Sequence, residues 1–142
     1  MMSSIKLRNY KSDDYQSVLK LWEITNLGGE ERDDNAETIE ISLLHGGKFW
    51  ILEDSKTRKL IGSCWVTNDS RRLYLHHVGI HPEYQQKGYG KLLTGTALAH
   101  AKSLNMQIKL EVHHSNKTAL NIYKKLGFKF LKGYEVMIKR KH

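Results

Sequence analysis

The chain contains one cysteine and one proline, and no apolar run approaches the ~20 residues that a membrane span needs. The lone Cys64 excludes an intramolecular disulfide and a cysteine-rich zinc site, and suits a reducing compartment. The opening MMSSIKLRNYK lacks the apolar stretch of a signal peptide. A cytoplasmic protein with no membrane partner is therefore the expectation. No internal repeat, low-complexity tract or linker interrupts the 142 residues, which suit a single domain, 1–142, with a real core. Charge is not balanced: 23 Lys and Arg against 15 Asp and Glu leave a formal +8. The basic residues are spread along the chain rather than gathered in a stripe, so nucleic acid is not the expected partner. A solvated basic surface with attraction for a polyanionic ligand is.

What is present is organised around Leu73 to Lys102. Tyr74, Val78 and Ile80 favour a strand, and Pro82 ends it because proline cannot donate to a ladder. Then comes Gln85-Gln86-Lys87-Gly88-Tyr89-Gly90-Lys91, followed by Leu93, Ala97, Ala101 and Leu104 at helical period. A glycine-bearing turn thus feeds the first turn of a helix, where backbone N–H groups stand unpaired at the positive end of the dipole. Such a turn is either a plain tight turn or an anion site; Gly88 and Gly90 would let a phosphate approach the amides. It lacks the third glycine of the dinucleotide fingerprint and the GK[ST] of a Walker loop.

Around this centre the pattern is regular. Ile5 to Tyr10 alternates as a strand. Ser12 is the expected cap of a helix carrying Tyr15, Val18, Leu19 and Trp22 on one face. Asn26-Leu27-Gly28-Gly29 breaks it, and Glu30, Glu31, Asp33 and Asp34 precede a second helix over about Asn35 to His45. These acidic residues either balance the helix N-terminus or form a lip that attracts a cationic amine. Strands over Lys48–Glu53, Leu60–Thr67 and Leu73–His81 form a meander. Gln107 to His113 is a further strand, with Glu111 opposite Ile108, Leu110 and Val112. Asn116 starts a helix over Lys117–Leu126, with Gly127 at its C-terminal cap. Phe128–Phe130 and Tyr134–Lys139 read as a closing hairpin. The order is β-α-α-β-β-β-α-β-α-β-β: an α/β (α+β) fold with a mixed, mostly antiparallel sheet of six to seven strands and about four helices.

Two segments carry a resemblance. Gln85, Gly88 and Gly90 occupy the signature places of the Q/R-x-x-G-x-G/A motif of GNAT superfamily N-acetyltransferases. Asn116, Ala119, Tyr123, Gly127 and Phe128 resemble the family's other signature segment, at the expected distance. The likeness covers most of the chain, although Met1 to Lys48 matches by element order alone. It implies the GNAT fold and a co-substrate, acetyl-CoA, whose pyrophosphate rests on residues 85–91, Gln86, Lys87, Tyr89 and Lys91 included. It also implies that the strand before the turn splays from its neighbour, so that Val78, Gly79 and Ile80 hold the pantetheine and polarise the thioester. From residues alone, Gly79 reads equally as a bulge.

Acetyl transfer to an amine requires loss of a proton from the amine, stabilisation of the carbonyl oxygen, and preferably an acid for the thiolate. Tyr123 stands where family members often carry that acid; by spacing it is also a core aromatic. Asn116 either bonds the cofactor arm or caps its helix. Leu110-Glu111-Val112 resembles the enzymes that acetylate N-termini of ribosomal proteins, which implies Glu111 as base, acting through water. Read without the family, Glu111 is an exposed strand carboxylate. His76, His77 and His81 are rivals, because histidine titrates near neutrality; alternation along a strand would let only one of His76 and His77 face the cleft. The histidine spacings fit no common zinc pattern, so no metal is expected. The expected function is direct transfer of an acetyl group to a primary amine of a protein N-terminus, a lysine or a small molecule. The alternatives are a catalytically inactive acyl-CoA-binding module and, less favoured, a basic nucleic-acid binder. The acceptor carries no legible motif, and a homodimer is left open.

Overall fold

The computed structural model describes residues 4–27 and 33–142. The order is β1 (Ile5–Asn9), α1 (Tyr15–Ile24), α2 (Ala36–Leu44), β2 (Lys48–Asp54), β3 (Lys59–Asn68), β4 (Arg72–Ile80), α3 (Tyr89–Leu104), β5 (Gln107–Leu110) and α4 (Lys117–Lys125). The chain divides into two compact units, one reaching to Glu111 and the other running from Val112 to His142. Each is described by itself.

The first unit is a five-stranded sheet in the order β1-β2-β3-β4-β5. The first four strands pair antiparallel, because short turns join β2 to β3 and β3 to β4. β5 is parallel to β4, since α3 returns the chain to the starting side. Period-two alternation decides the faces. Phe49 and Ile51 of β2 join Trp65 of β3 in a core that α1 and α2 close with Val18, Leu21, Trp22 and Ile39. Trp50, on the opposite face, meets His100 of α3 edge-on at 5.8 Å. The indoles of Trp22 and Trp65 stack at 6.1 Å. Their N–H groups donate to Ser63 Oγ (3.2 Å) and Ser42 Oγ (2.9 Å), which lets two large rings be buried with their polar ends satisfied.

Local caps differ in one place from expectation. Asn35 accepts from the Thr38 N–H and starts α2 as its residue type predicts. Ser12 does not cap α1. It lies in a 3-10 turn, Ser12–Asp14, and its hydroxyl donates to Glu40 at 2.7 Å. Asp14 instead takes the Lys11 N–H and a two-pronged bond from Arg8.

The second unit holds α4. Asn116 caps it, accepting from the Ala119 N–H at 3.2 Å, and Gly127 follows it at φ 96°. The closing hairpin is not formed: residues 128–142 contain no strand, so the sheet has five strands where six to seven were expected. Val136, Met137 and Ile138 are 72, 90 and 73% exposed. β-favouring residues do not make a strand without a ladder partner, and apolar groups left in water do not offset the entropy of ordering it.

Candidate active site

β4 has neighbours on both sides only over its first part. Against β5 the ladder runs from Arg72↔Gln107 to Leu75↔Leu110 and stops. Residues 76–80 therefore present one open edge of backbone groups among the described residues. On the other side β4 stays paired to β3 but with a bulge: Trp65 faces His76 and Ser63 faces Gly79, so His77 and Val78 together oppose Cys64. The extra residue falls at His77–Val78 rather than at Gly79. Gly79 has a different reason to be glycine: a Cβ there would meet Leu27 Cδ1 at 2.9 Å and Thr25 Oγ1 at 3.1 Å. The end of α1 packs directly onto this part of β4.

The strand leads into the turn expected from the sequence. Pro82–Tyr84 is a 3-10 turn whose first N–H groups are held by His81, with Nδ1 accepting from Glu83. The Gln85 side-chain amide donates to the Ile80 carbonyl at 2.9 Å and ties the turn to the open end of β4. Tyr84 donates to Asp54 at 3.0 Å, anchoring the turn to β2 as well. Gln86 and Gly88 both take positive φ, 60° and 89°. Gly88 is the N-cap of α3, with no side chain serving the helix end. The first helical bond runs from Leu92 N–H to the Gly88 carbonyl, which leaves the amides of Tyr89, Gly90 and Lys91 ahead of the ladder. A Cβ at Gly88 would meet no protein atom within 4 Å. The space beside the Gly88 Cα is therefore open, next to the unpaired amides of the helix start.

The other expected residues lie as follows. Glu111 is exposed and stands one residue beyond the last residue of β5, so it is not within the strand. Tyr123, half-buried on α4, meets Phe128 edge-on at 5.6 Å. Asn116 uses its carbonyl oxygen as a helix cap. Glu30 and Glu31 of the acidic patch lie outside the described residues.

Sequence reasoning missed one pairing. Asp34, assigned above only to an acidic patch, meets the His77 ring: Nε2 lies 2.6 Å from Oδ2, and both side chains are 9% exposed. The partners are 43 residues apart, and no short-range spacing encodes such a contact. His77 has φ 44°, and its ring lies 4.7 Å from that of Trp22. His76 bonds Thr67 Oγ1 at 2.8 Å; burial, and then the neighbouring His77, lower its pKa below the usual value for histidine. Cys64 is buried beneath the bulge, and burial raises its thiol pKa above the ordinary range, which disfavours the reactive thiolate.

An open strand edge running into a glycine turn and a helix N-terminus is the arrangement that the resemblance to acetyltransferases implies. The acetyltransferase (GNAT) family model matches residues 15–128, and the chain belongs to that family as an N-acetyltransferase. It is 22% identical over 125 residues to an acetyltransferase of Yersinia pestis (strain Pestoides F), covering 87% of each chain. It is 29% identical over 135 residues to the mycothiol acetyltransferase of Gordonia bronchialis, covering 88% of this chain and 44% of that one. In fold it matches an acetyltransferase of the GNAT family from Staphylococcus aureus Mu50 with a TM-score of 0.80, at 20% identity, over 91% of this chain and 86% of that one. The PaiA N-acetyltransferase of Thermoplasma acidophilum, solved in complex with coenzyme A, gives 0.73 at 23% identity over 89% and 90%.

Proposed function

We propose that this protein is a single-domain, cytoplasmic enzyme that moves the acetyl group of acetyl-CoA directly to a primary amine, with no covalent enzyme intermediate. The observation that carries the reading is the continuity of three features. The free edge of β4 at residues 76–80 passes through Gln85, bonded back to Ile80, into a turn with open space beside Gly88. Val78, Gly79 and Ile80 would hold the pantetheine arm and polarise the thioester. Residues Gln85 to Lys91 would hold the pyrophosphate with backbone N–H groups and the charges of Lys87 and Lys91. The Thermoplasma protein of the same fold was solved with coenzyme A, which supports the choice of ligand. The buried free thiol of Cys64 suits a reducing compartment.

Tyr123 is the proposed acid for the departing thiolate, a role carried by the signature segment from Asn116 to Phe128. Glu111 is the proposed carboxylate of the base system. A carboxylate with an ordinary pKa of about 4.3 is a weak base for an ammonium of pKa near 10. It would therefore work by positioning a water and stabilising the cation. The acceptor is a protein N-terminus, a lysine or a small amine; the likeness to the ribosomal-protein branch rests on Leu110-Glu111-Val112 alone.

The test pairs calorimetric titration of acetyl-CoA with thiol release over a panel of peptides, free lysine and polyamines. Acetyl-CoA binding with amine-dependent release is the expected result. Binding without release from any amine would leave an acyl-CoA-binding module.

A further inference from the structure

Two neighbouring histidines on a strand should point to opposite faces. Here the bulge at His77–Val78 and the positive φ of His77 turn both rings to one face, with centroids 6.2 Å apart. A left-handed conformation at a non-glycine residue is uncommon and persists only where its surroundings support it. Asp33, on the other side of the contact, is also left-handed at φ 58°. Thus both segments that meet at the His77–Asp34 bond are held in uncommon backbone geometry. The result is an imidazole set in an aromatic recess, its side chain 9% exposed. Asp34 takes Nε2, Trp22 and Trp65 flank the ring, and Nδ1 has no partner among the described residues. Among the described residues, the charged or titratable groups around His77 are Asp34, from the segment before α2, His76 on β4 and the buried thiol of Cys64, which opposes the bulge from β3; α1 brings the Trp22 indole.

A carboxylate can only accept, so the Asp34 bond fixes the neutral imidazole as the Nε2–H tautomer. The lone pair is then on Nδ1. The residue next in sequence is Val78, the first of the three proposed to carry the thioester.

From this geometry we infer that His77 is the catalytic group that takes the proton from the acceptor amine, and that Asp34 is its positioning residue. The inference rests on the acetyltransferase reading above and deepens it. His77 Nδ1 takes one proton from the ammonium, directly or through the water that Glu111 holds, and passes it to solvent. The amine lone pair forms the N–C bond to the acetyl carbonyl carbon, the C–S bond breaks, and the second proton shed by the nitrogen ends on the thiolate. One proton is released per turnover.

The experiment uses the whole chain, acetyl-CoA, and the same panel of peptides, lysine and polyamines. His77→Gln should lower kcat/KM by ~10²-fold or more, as for a lost general base, and abolish the acidic limb of its pH profile. Acetyl-CoA affinity by calorimetry should stay near wild type. Asp34→Asn should move that limb, and nitrogen NMR of the ring should show the Nε2–H tautomer in wild type and a mixture in Asp34→Asn. A wild-type rate and limb in His77→Gln would overturn the assignment and leave the pair a structural clamp. Should His77→Gln fail to fold, an unmoved limb and unchanged tautomer in Asp34→Asn overturn it equally. If wild type binds acetyl-CoA yet releases no thiol with any amine, the enzyme reading itself fails, a result distinct from either variant's.

Discussion

His76 and His77 are adjacent in the chain, yet both rings lie against Trp65, with centroids at 5.6 and 5.9 Å. One extra residue in β4 is enough to do this, because a bulge resets the alternation of faces. Beyond that bulge the strand has lost β5 as a partner and has only β3 left. The bulge thus turns an imidazole to the Trp65 face in the stretch where the end of β5 pairing leaves a row of backbone groups open.

The phosphate turn can be tested without disturbing that stretch. Gly88→Val puts a side chain into the open space beside the turn and also imposes a left-handed valine, at a cost of roughly 1–2 kcal/mol. Gly133 shares that φ and also has open space around it, so Gly133→Val carries the strain alone. Only Gly88→Val should weaken acetyl-CoA, by about tenfold or more, the loss of one or two charge-assisted hydrogen bonds. Equal affinities in the two variants would refute the site.

Tyr123→Phe keeps the ring that packs on Phe128 and removes the phenolic proton. Turnover should fall while acetyl-CoA affinity and melting temperature stay near wild type. Loss of stability with turnover intact would mark Tyr123 as a packing residue only.

Glu111→Gln keeps the shape and removes the charge of an exposed side chain, so stability should hardly move. If it holds the water and the cation, kcat/KM should drop by ~10²-fold while the acidic limb stays in place. The pH profiles of Glu111→Gln and His77→Gln, measured side by side with one amine, separate the two roles. Full activity in Glu111→Gln would remove it from the mechanism.

Stability should depend on pH through His76. Burial, and then the charge of His77, lower its folded pKa, so protons bind the unfolded chain more readily than the folded one. The stabilisation is fully present above the ordinary histidine value of about 6.5 and is lost as pH falls through the lower folded value. Urea midpoints measured on both sides of neutrality should fall toward the acid side, and His76→Gln should flatten the dependence. A steeper dependence in the variant would contradict it.

Much of this protein is legible in its residues, for a local reason. Apolar period, a cap such as Asn116, and the glycine turn act over a few positions, and they located every helix and the five strands that form. Gln85, Gly88 and Gly90, and the segment from Asn116 to Phe128, were enough to reach the family. The same local reasoning failed where a partner decides. Tyr134 to Lys139 alternates as a strand should, but without a ladder or burial it forms none. Glu111 sits in an alternating run that pairing abandons after Leu110. Asp34 and His77 could not be joined in advance, because they are 43 positions apart and a bulge at His77 sets the direction of its ring. Sequence determined the elements, the family and the glycine turn ahead of α3, since these depend on neighbours within a turn or two. Tertiary structure alone decided where β4 comes free, which imidazole is turned into the aromatic recess and which carboxylate holds it, because those depend on register and on contacts between segments remote in the chain.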